Sequence, residues 1–453
     1  MKKNNAYIVV GLGFGDEGKG TMTDYLCRKN DAMLVVRANG GSQAGHNVVT
    51  DDGRHHTFTQ FGSGSFIPGV KTLLSRYMMW DPIILAEEAS ELSAATGEYM
   101  IDRHFIDRRA PVITQFHVAA NRIKEWMRGK GRHGSCGRGI GELGSDLMYV
   151  PEEVVRAENL FDPRGTKKIL EAIQKRKFLE LQKLNIDWND LPELLQDSRK
   201  ILTDAAHPIV LAYEYEKMVR AYTILSAHEV NAMIRENTAV FECAQGVLLD
   251  EWHGFHPYTT WTTTLQTNPL EILKEAGFEG KTETIGVTRC YSTRHGAGPF
   301  VTEDENFRDI YPGENNYFGE WQGSFRTGYF DGVAFRYALE CLRHYGRIDS
   351  LAITHLDAFE RKEALPFADL YTGENGEAIR NLKPAYDRDL SYQQALTEMI
   401  MKAKPMITGT WHTTEEVIKY MQKTGRVPVK YVSYGPASGQ KQTLIAARKE
   451  ENC

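Results

Sequence analysis

The stretch YIVVGLGFGDEGKG, residues 7–20, passes from an apolar run directly into closely spaced glycines. Tyr7–Val10 reads as a strand ending at Gly11, and Thr21–Arg28 continues as a helix. Between them, Gly13 to Gly18-Lys19 fits the G-x4-G-K spacing of a phosphate loop. Glycines there let backbone N–H groups approach phosphates, and Lys19 adds positive charge. Gly20 stands where a Ser or Thr would usually ligate magnesium, so another ligand is required. Asp16 is the candidate, because a carboxylate among phosphates needs a metal or a chemical role to offset the repulsion. The competing reading is a glycine-rich turn with surface charges. The succession of strand, loop, lysine and helix argues against it.

Working outward, Met33–Val36 is a second buried strand, followed by the glycine-rich loop GGSQAGHNVV (40–49). Strand-like runs return at Ala239–Glu242, Thr284–Val287, Leu351–Thr354 and Val429–Val432, each followed by loop residues. Apolar runs alternating with helical patterns indicate an α/β fold: a P-loop-like, mostly parallel central sheet flanked by helices. Residues 111–236 differ, being rich in Lys, Arg, Glu and Leu at helical spacing. They read as a largely helical insertion within one domain spanning residues 1–453, interrupted by the loop GKGRHGSCGRGIGELG (129–144). Thr302–Asn316 and Tyr371–Asp389 read as surface excursions.

Composition narrows the function classes. The chain of 453 residues is 42% hydrophobic and 25% charged, enough to bury a large core. A net charge of −6 gives no electrostatic case for nucleic acid or an anionic membrane. No apolar run approaches the ~20 residues of a bilayer span. Six cysteines are scattered without a CxxC pair, which points to reduced thiols in the cytoplasm and away from a zinc knuckle.

GDEGKG and GGSQAGHNVV together resemble the paired phosphate and catalytic segments of the adenylosuccinate synthetase family. SCGRGIG (135–141), FECAQGVLLD (241–250), CYSTRHGAGPFVTE (290–303), RTGYFDGVAFR (326–336), THLD (354–357) and SYGP (433–436) are similar to further family motifs, in the same order. The resemblance implies a GTP-dependent ligase. Such an enzyme phosphorylates a lactam oxygen, as in IMP, and an amine such as that of L-aspartate then displaces phosphate. It implies Asp16 as base and Mg²⁺ ligand, the Gly45 carbonyl as a second ligand, and His46 as acid or hydrogen-bond donor to the moving phosphoryl group. It further implies a cytoplasmic homodimer. Gly15, Glu17, Gly18, Gly20 and Lys19 would cradle the GTP phosphates. Asp357 can accept from guanine N1–H and the 2-amino group, which adenine cannot supply. His355 stands where the family's lysine covers the base, and Ser433, Tyr434 and Gly435 would complete that pocket. Gln245 matches the glutamine beside the lactam ring. Leu249 and Thr260 match neighbouring contacts, although a core role for Leu249 is equally compatible with its type. His295 replaces an apolar family residue.

The departures cluster around the substrate ends. EWQGSFRTG (320–328) keeps only Arg326 of the arginines that the family uses on aspartate, with Gly323 beside it. Cys136 replaces a threonine and Gln43 an asparagine near the family's 5′-phosphate. Residues 139–154 hold no Arg or Lys to match the arginine that the family sends across its dimer interface. Arginine forks are strong phosphate and carboxylate binders, so these losses are not conservative. Either other cations, such as Arg132, Arg138, Arg156 or Arg294, rebuild the clamp, or the acceptor, the amine donor or both differ. Two other classes compete. A non-catalytic GTP-binding module would not need Asp16, His46 and Gln245 together. An ordinary P-loop kinase or GTPase fits poorly with Gly20.

Overall fold

The computed structural model describes residues 4–310 and 321–444. Its first strands are β1 (Asn5–Gly11), β2 (Leu34–Arg37), β3 (His46–Val49), β4 (His55–Phe58), β5 (Lys71–Leu74) and β6 (His104–Asp107). The next are β7 (Thr223–Leu225), β8 (Ala239–Glu242), β9 (Lys281–Arg289), β10 (Ser292–His295), β11 (Phe325–Gly328) and β12 (Phe330–Asp331). Then come β13 (Ser350–Thr354), β14 (Leu365–Thr372), β15 (Ala378–Ile379), β16 (Lys404–Trp411), β17 (Val429–Ser433) and β18 (Lys441–Thr443). Among the described residues a 10-stranded sheet runs in the order β18-β17-β13-β9-β1-β8-β2-β5-β6-β7. Every neighbouring pair in it is parallel except β17 with β18.

β1 sits inside this sheet between β8 and β9, which explains its uninterrupted apolar sequence. Ala6, Ile8 and Val10 pack on one face with Leu34, Val36 and Phe241. Tyr7 and Val9 pack on the other with Val35, Val240 and Ile285. Helix α1 (Lys19–Asn30) leaves directly from the phosphate loop. The carboxyl ends of β1, β2, β8, β9, β13 and β17 therefore share one edge, the usual place for a ligand in an open parallel sheet.

After α2 (Pro82–Thr96), residues 111–236 contain α3 (Gln115–Met127), α4 (Ile140–Tyr149), α5 (Pro163–Lys183), α6 (Gln196–Thr203), α7 (His207–Val219) and α8 (Ala227–Glu236). The segment also returns β7 to pair with β6 at the sheet edge. The loop expected over 129–144 ends earlier, because α4 begins at Ile140. Gly144 has a packing cause: a Cβ there would lie 2.7 Å from the Trp261 carbonyl oxygen. The expected surface excursions are mostly exposed or half-buried, but they are pinned by a few buried side chains. Thr302, Phe307 and Ile310 are buried, and so is Tyr371, whose hydroxyl donates to Asp331 at 2.5 Å. Polar neighbours in sequence hid these apolar anchors. Residues 311–316 of the first excursion lie outside the described residues.

A buried charge network ties α3, α4 and α5 together. Lys177, wholly buried, reaches Asp146 at 2.8 Å and Glu142 at 3.1 Å. Asp146 also faces His117 at 3.1 Å and Arg176 at 2.9 Å. Burial would raise the Asp146 carboxyl, but His117, Arg176 and Lys177 hold it well below the usual range. Glu142 is likewise lowered, by Lys124 and Lys177 against its burial. Both groups therefore contribute stability that is complete above their unfolded values near ~4 and lost as pH falls. Lys177→Met takes the wholly buried cation from two carboxylates that keep only Arg176 and Lys124, and should cost about 1–3 kcal/mol in urea unfolding at neutral pH. A loss below about 1 kcal/mol would remove the network from the account of the insertion's stability.

Candidate active site

Glu17, inside the phosphate loop, points inward. Its carboxylate accepts from the Gly13 and Gly15 N–H groups at 2.9 and 2.8 Å and pairs with Lys19 at 2.5 Å. The Glu17 side chain thus organises the loop instead of facing a phosphate, and Lys19 acts as one half of a buried pair. Lys19, Gly15, Asp16, Gly18 and Gly20 line a cavity of about 690 Å³ at the sheet edge, a size typical of small-molecule sites (~300–1,000 Å³). Gly20 has a steric cause. A Cβ there would lie 2.7 Å from His46 Cβ and 2.9 Å from Ser63 Oγ. The hydroxyl usual at this position has been exchanged for room to seat a histidine.

His46 opens β3, and its ring enters the cavity. Nδ1 faces Glu242 Oε1 at 2.5 Å, and Glu242 Oε2 takes the Ser63 N–H at 3.0 Å. With Nδ1–H committed, Nε2 is the nitrogen left for chemistry. Burial pulls the His46 ring below its ordinary value, and Glu242 opposes that pull. Burial would raise Glu242 too, but His46 and Arg37 bring it down to about 2. A carboxylate kept ionised behind the ring favours a proton on the outward nitrogen when an anion develops there. Glu242 went unremarked in the sequence reading, although an acid closing the buried strand AVFE was the available signal.

Asp16 adopts a left-handed backbone, φ 62°, at the cavity wall. Arg289 Nε donates to its carbonyl at 2.5 Å, and His295 Nδ1 lies 3.8 Å from its carboxylate. Gln245, also left-handed at φ 62°, lines the same region. Gln245 Oε1, His295 Nε2 and both amide atoms of Gln43 are buried without a hydrogen-bond partner. All three side chains line the cavity, so it is built for a polar ligand. Leu249, Thr260 and Cys136 line it as well, which favours the contact role for Leu249 over the core role. Among the described residues no group of three or more His, Cys, Asp or Glu could hold a metal. Asp16 and Gly45 both line the cavity, where the carboxylate and the backbone carbonyl are hard oxygen donors.

At the opposite end lie Thr354, His355, Asp357, Ser433 and Gly435. Thr354 Oγ1 donates to the Glu17 carbonyl at 2.7 Å, tying β13 to the phosphate loop. His355 is left-handed, φ 60°, and burial, with Arg289 and Lys441 nearby, drives its ring well below its ordinary value, so it is neutral. Asp357 is buried, with Arg361 at 3.6 Å. Tyr434 does not reach the cavity and packs against the core instead.

Of the remaining sequence candidates all but Arg294 fall outside. Arg326 is held by Glu303, through Nε at 2.9 Å, and by the carbonyls of Gly296 and Gly298 at 2.9 and 3.0 Å. Neither it nor Gly323 lines the cavity, whereas the adjacent Gln322 does. Arg132, Arg138 and Arg156 do not line it either. Arg294 does, but it is buried and spent on the carbonyls of Ala297, Pro299 and Tyr258. Two unforeseen cations, Lys124 and Arg128, line the wall formed by α3 and α4.

The sequence profile described as adenylosuccinate synthetase matches residues 8–442. The chain belongs to the adenylosuccinate synthetase family. Relatives include the adenylosuccinate synthetase of Thermobifida fusca (strain YX), 30% identical over 97% of this chain and 98% of that protein. That of Synechocystis sp. is 31% identical over 97% and 94%. The fully ligated adenylosuccinate synthetase of Plasmodium falciparum shares the fold, with a TM-score of 0.75 at 19% identity over 97% of this chain and 99% of that one. The cyanophage S-2L succinoaminodeoxyadenylate synthetase, bound to dGMP and dATP, superposes with a TM-score of 0.55 at 16% identity, over 98% and 96%. As a member of this family the chain is a GTP-dependent ligase that forms a C–N bond. Among the described residues no helix is long and apolar enough to cross a membrane.

The pairing behind His46 can be tested directly. Glu242→Gln should lower kcat about 10²–10³-fold while GTP affinity changes little, because the ring loses its ionised partner. Equal rates in the two proteins would show that Glu242 serves packing only.

Proposed function

We propose that this ligase uses GTP and Mg²⁺ to phosphorylate the oxygen of a lactam ring, after which an amine displaces the phosphate. The observation that most supports this is the convergence, in one cavity, of Asp16, Gln245 and the His46–Glu242 pair with Asp357 at the other end. In the first step Asp16 takes the ring N–H proton, and the lactam oxygen forms a bond to the γ-phosphorus. The bond from that phosphorus to the β,γ-bridging oxygen breaks, and GDP leaves. His46 donates through Nε2 to the phosphoryl oxygens as charge gathers there. Lys19, set by Glu17, and the N–H groups opening α1 hold the phosphates. Asp16 and the Gly45 carbonyl would hold Mg²⁺, which would supply charge neutralisation for the phosphates when bound. In the second step the amine attacks the ring carbon, the C–N bond forms, and the C–O bond breaks to release inorganic phosphate. Gln245 holds the ring edge through its amide.

At the nucleotide end Asp357 reads the guanine edge, and the neutral His355 ring covers the base face. Ser433 and Gly435 line the rim. Family resemblance supports a homodimer in the cytoplasm. For the amine donor, one observation favours a second reading: Arg326 is committed to Glu303, so a donor other than a dicarboxylate fits this loop better.

Asp16→Asn and His46→Asn should each lower kcat by about 10²–10⁴-fold with GTP binding largely kept. Turnover near the parent rate in either variant would sink the assignment. Asp357→Asn should cost on the order of 2–4 kcal/mol of GTP-over-ATP discrimination in kcat/KM. Equal use of ATP and GTP by the parent enzyme would refute guanine reading altogether.

A further inference from the structure

The cavity wall formed by α3 and α4 has a charge pattern that bears on the acceptor. Its cations are Lys124 and Arg128, and each already has a carboxylate. Lys124 Nζ lies 2.7 Å from Glu142 and 2.6 Å from Glu180. Arg128 lies 2.6 Å from Glu125, which is wholly buried and also accepts the N–H groups of Gly134 and Ser135 at 2.9 and 3.3 Å. Glu142 itself lines the cavity and remains ionised, since Lys124 and Lys177 lower it against its burial. The N-terminus of α4 faces the same wall, but its first turn carries that acid, and the Gly139 N–H is taken by Asn121 Oδ1 at 3.2 Å. A phosphate dianion entering here would meet a carboxylate and would have to break a partly buried ion pair to reach a cation.

The other groups on this wall are neutral and suited to hydroxyls. Gln43 has both amide atoms buried and without a partner. It approaches α4 across Gly41, where a Cβ would lie 3.0 Å from Gln43 Oε1 and 2.5 Å from Ile140 Cδ1. Ser145 and Thr260 add hydroxyls, and Trp261 adds an apolar face. Carboxylate, amide and hydroxyl groups together form a set that binds vicinal hydroxyls through neutral and charge-assisted hydrogen bonds.

We propose that the lactam acceptor carries an uncharged polyol tail, as in a nucleoside, and that this wall excludes a terminal phosphate. The proposal rests on the reading that the cavity activates a lactam with GTP. Calorimetric titration of inosine and of IMP into the full chain, with Mg²⁺ and a non-hydrolysable GTP analogue present, compares the two tails. Inosine is expected to bind at least tenfold more tightly than IMP. IMP binding tenfold more tightly than inosine would overturn the proposal, as would failure of both to bind. In the second case retained guanine selectivity, measured with the analogue alone, keeps the nucleotide reading separate from this one. Glu142→Gln, which removes the acid and loosens Lys124, is expected to gain about tenfold in IMP affinity and to lose affinity for inosine, whose hydroxyls give up a charge-assisted acceptor. Because Glu142 belongs to a buried network, Ser145→Lys offers a second route: a cation added at the wall should also improve IMP binding about tenfold. No gain for IMP in either folded variant would show that charge on this wall does not select the tail.

Discussion

Glu17 accepts two N–H groups of its own loop and neutralises Lys19 a turn later. Around it the chain leaves no room for side chains: a Cβ on Gly11, Gly13 or Gly246 would lie within 2.9 Å of the carboxylate. The loop's shape is thus set from inside by an anion. That fixed shape then carries both ends of the site. The Glu17 carbonyl receives Thr354 Oγ1, which positions β13 and the residues after it. The Gly13 carbonyl receives the Leu248 N–H at 3.1 Å, which positions the chain leaving β8. The strand end before Asp357 and the chain after Gln245 are therefore both tied to the loop that one buried carboxylate shapes.

A second anion, Glu242, does corresponding work one strand away. Its oxygens collect His46, Ser63 Oγ and the Ser63 N–H, while Arg37 lies near in the interior. Placing ionised groups inside a protein is expensive unless each oxygen is satisfied. Here satisfaction and function coincide, because the same contacts that stabilise the charge aim the imidazole at the cavity. Gly20 is the visible cost of this design, since the ring and a P-loop hydroxyl cannot share the space.

Much of this was legible in the sequence for a physical reason. A strand buried on both faces has to be apolar throughout, and a loop that cradles phosphates has to be glycine-rich, so β1 and residues 13–20 announce themselves locally. The left-handed backbone of Asp16, Gln245 and His355 marks three cavity-lining positions that show in the sequence only through motif context. Glu17 and Lys19 were legible as loop members but not as partners, because their pairing depends on how the loop folds back. Arg326 reads in sequence as a ligand-binding survivor, and its commitment to Glu303 depends on the antiparallel β10–β11 pair and the Glu303–Gly328 bridge bringing the two together. The same holds for Lys124 and Arg128, which are ordinary helix-surface residues in sequence and become cavity wall only when α3 packs beside α4.

The cavity does not treat charge uniformly along its length. At the phosphate loop the helix N-terminus and Arg289 sit beside acids that have structural or chemical duties. At the α3–α4 wall every cation is matched by a carboxylate belonging to the protein itself. An anionic ligand stabilises a site only by as much as it improves on the partners those cations already have. Such pairs, preassembled and partly buried, offer it little. Neutral groups face no such competition, because the amide of Gln43 and the ring nitrogen of His295 have no protein partner to give up. On the proposed reading the acceptor's ring and the GTP chemistry share the sheet edge, while the acceptor's tail is chosen by the helices packed over it.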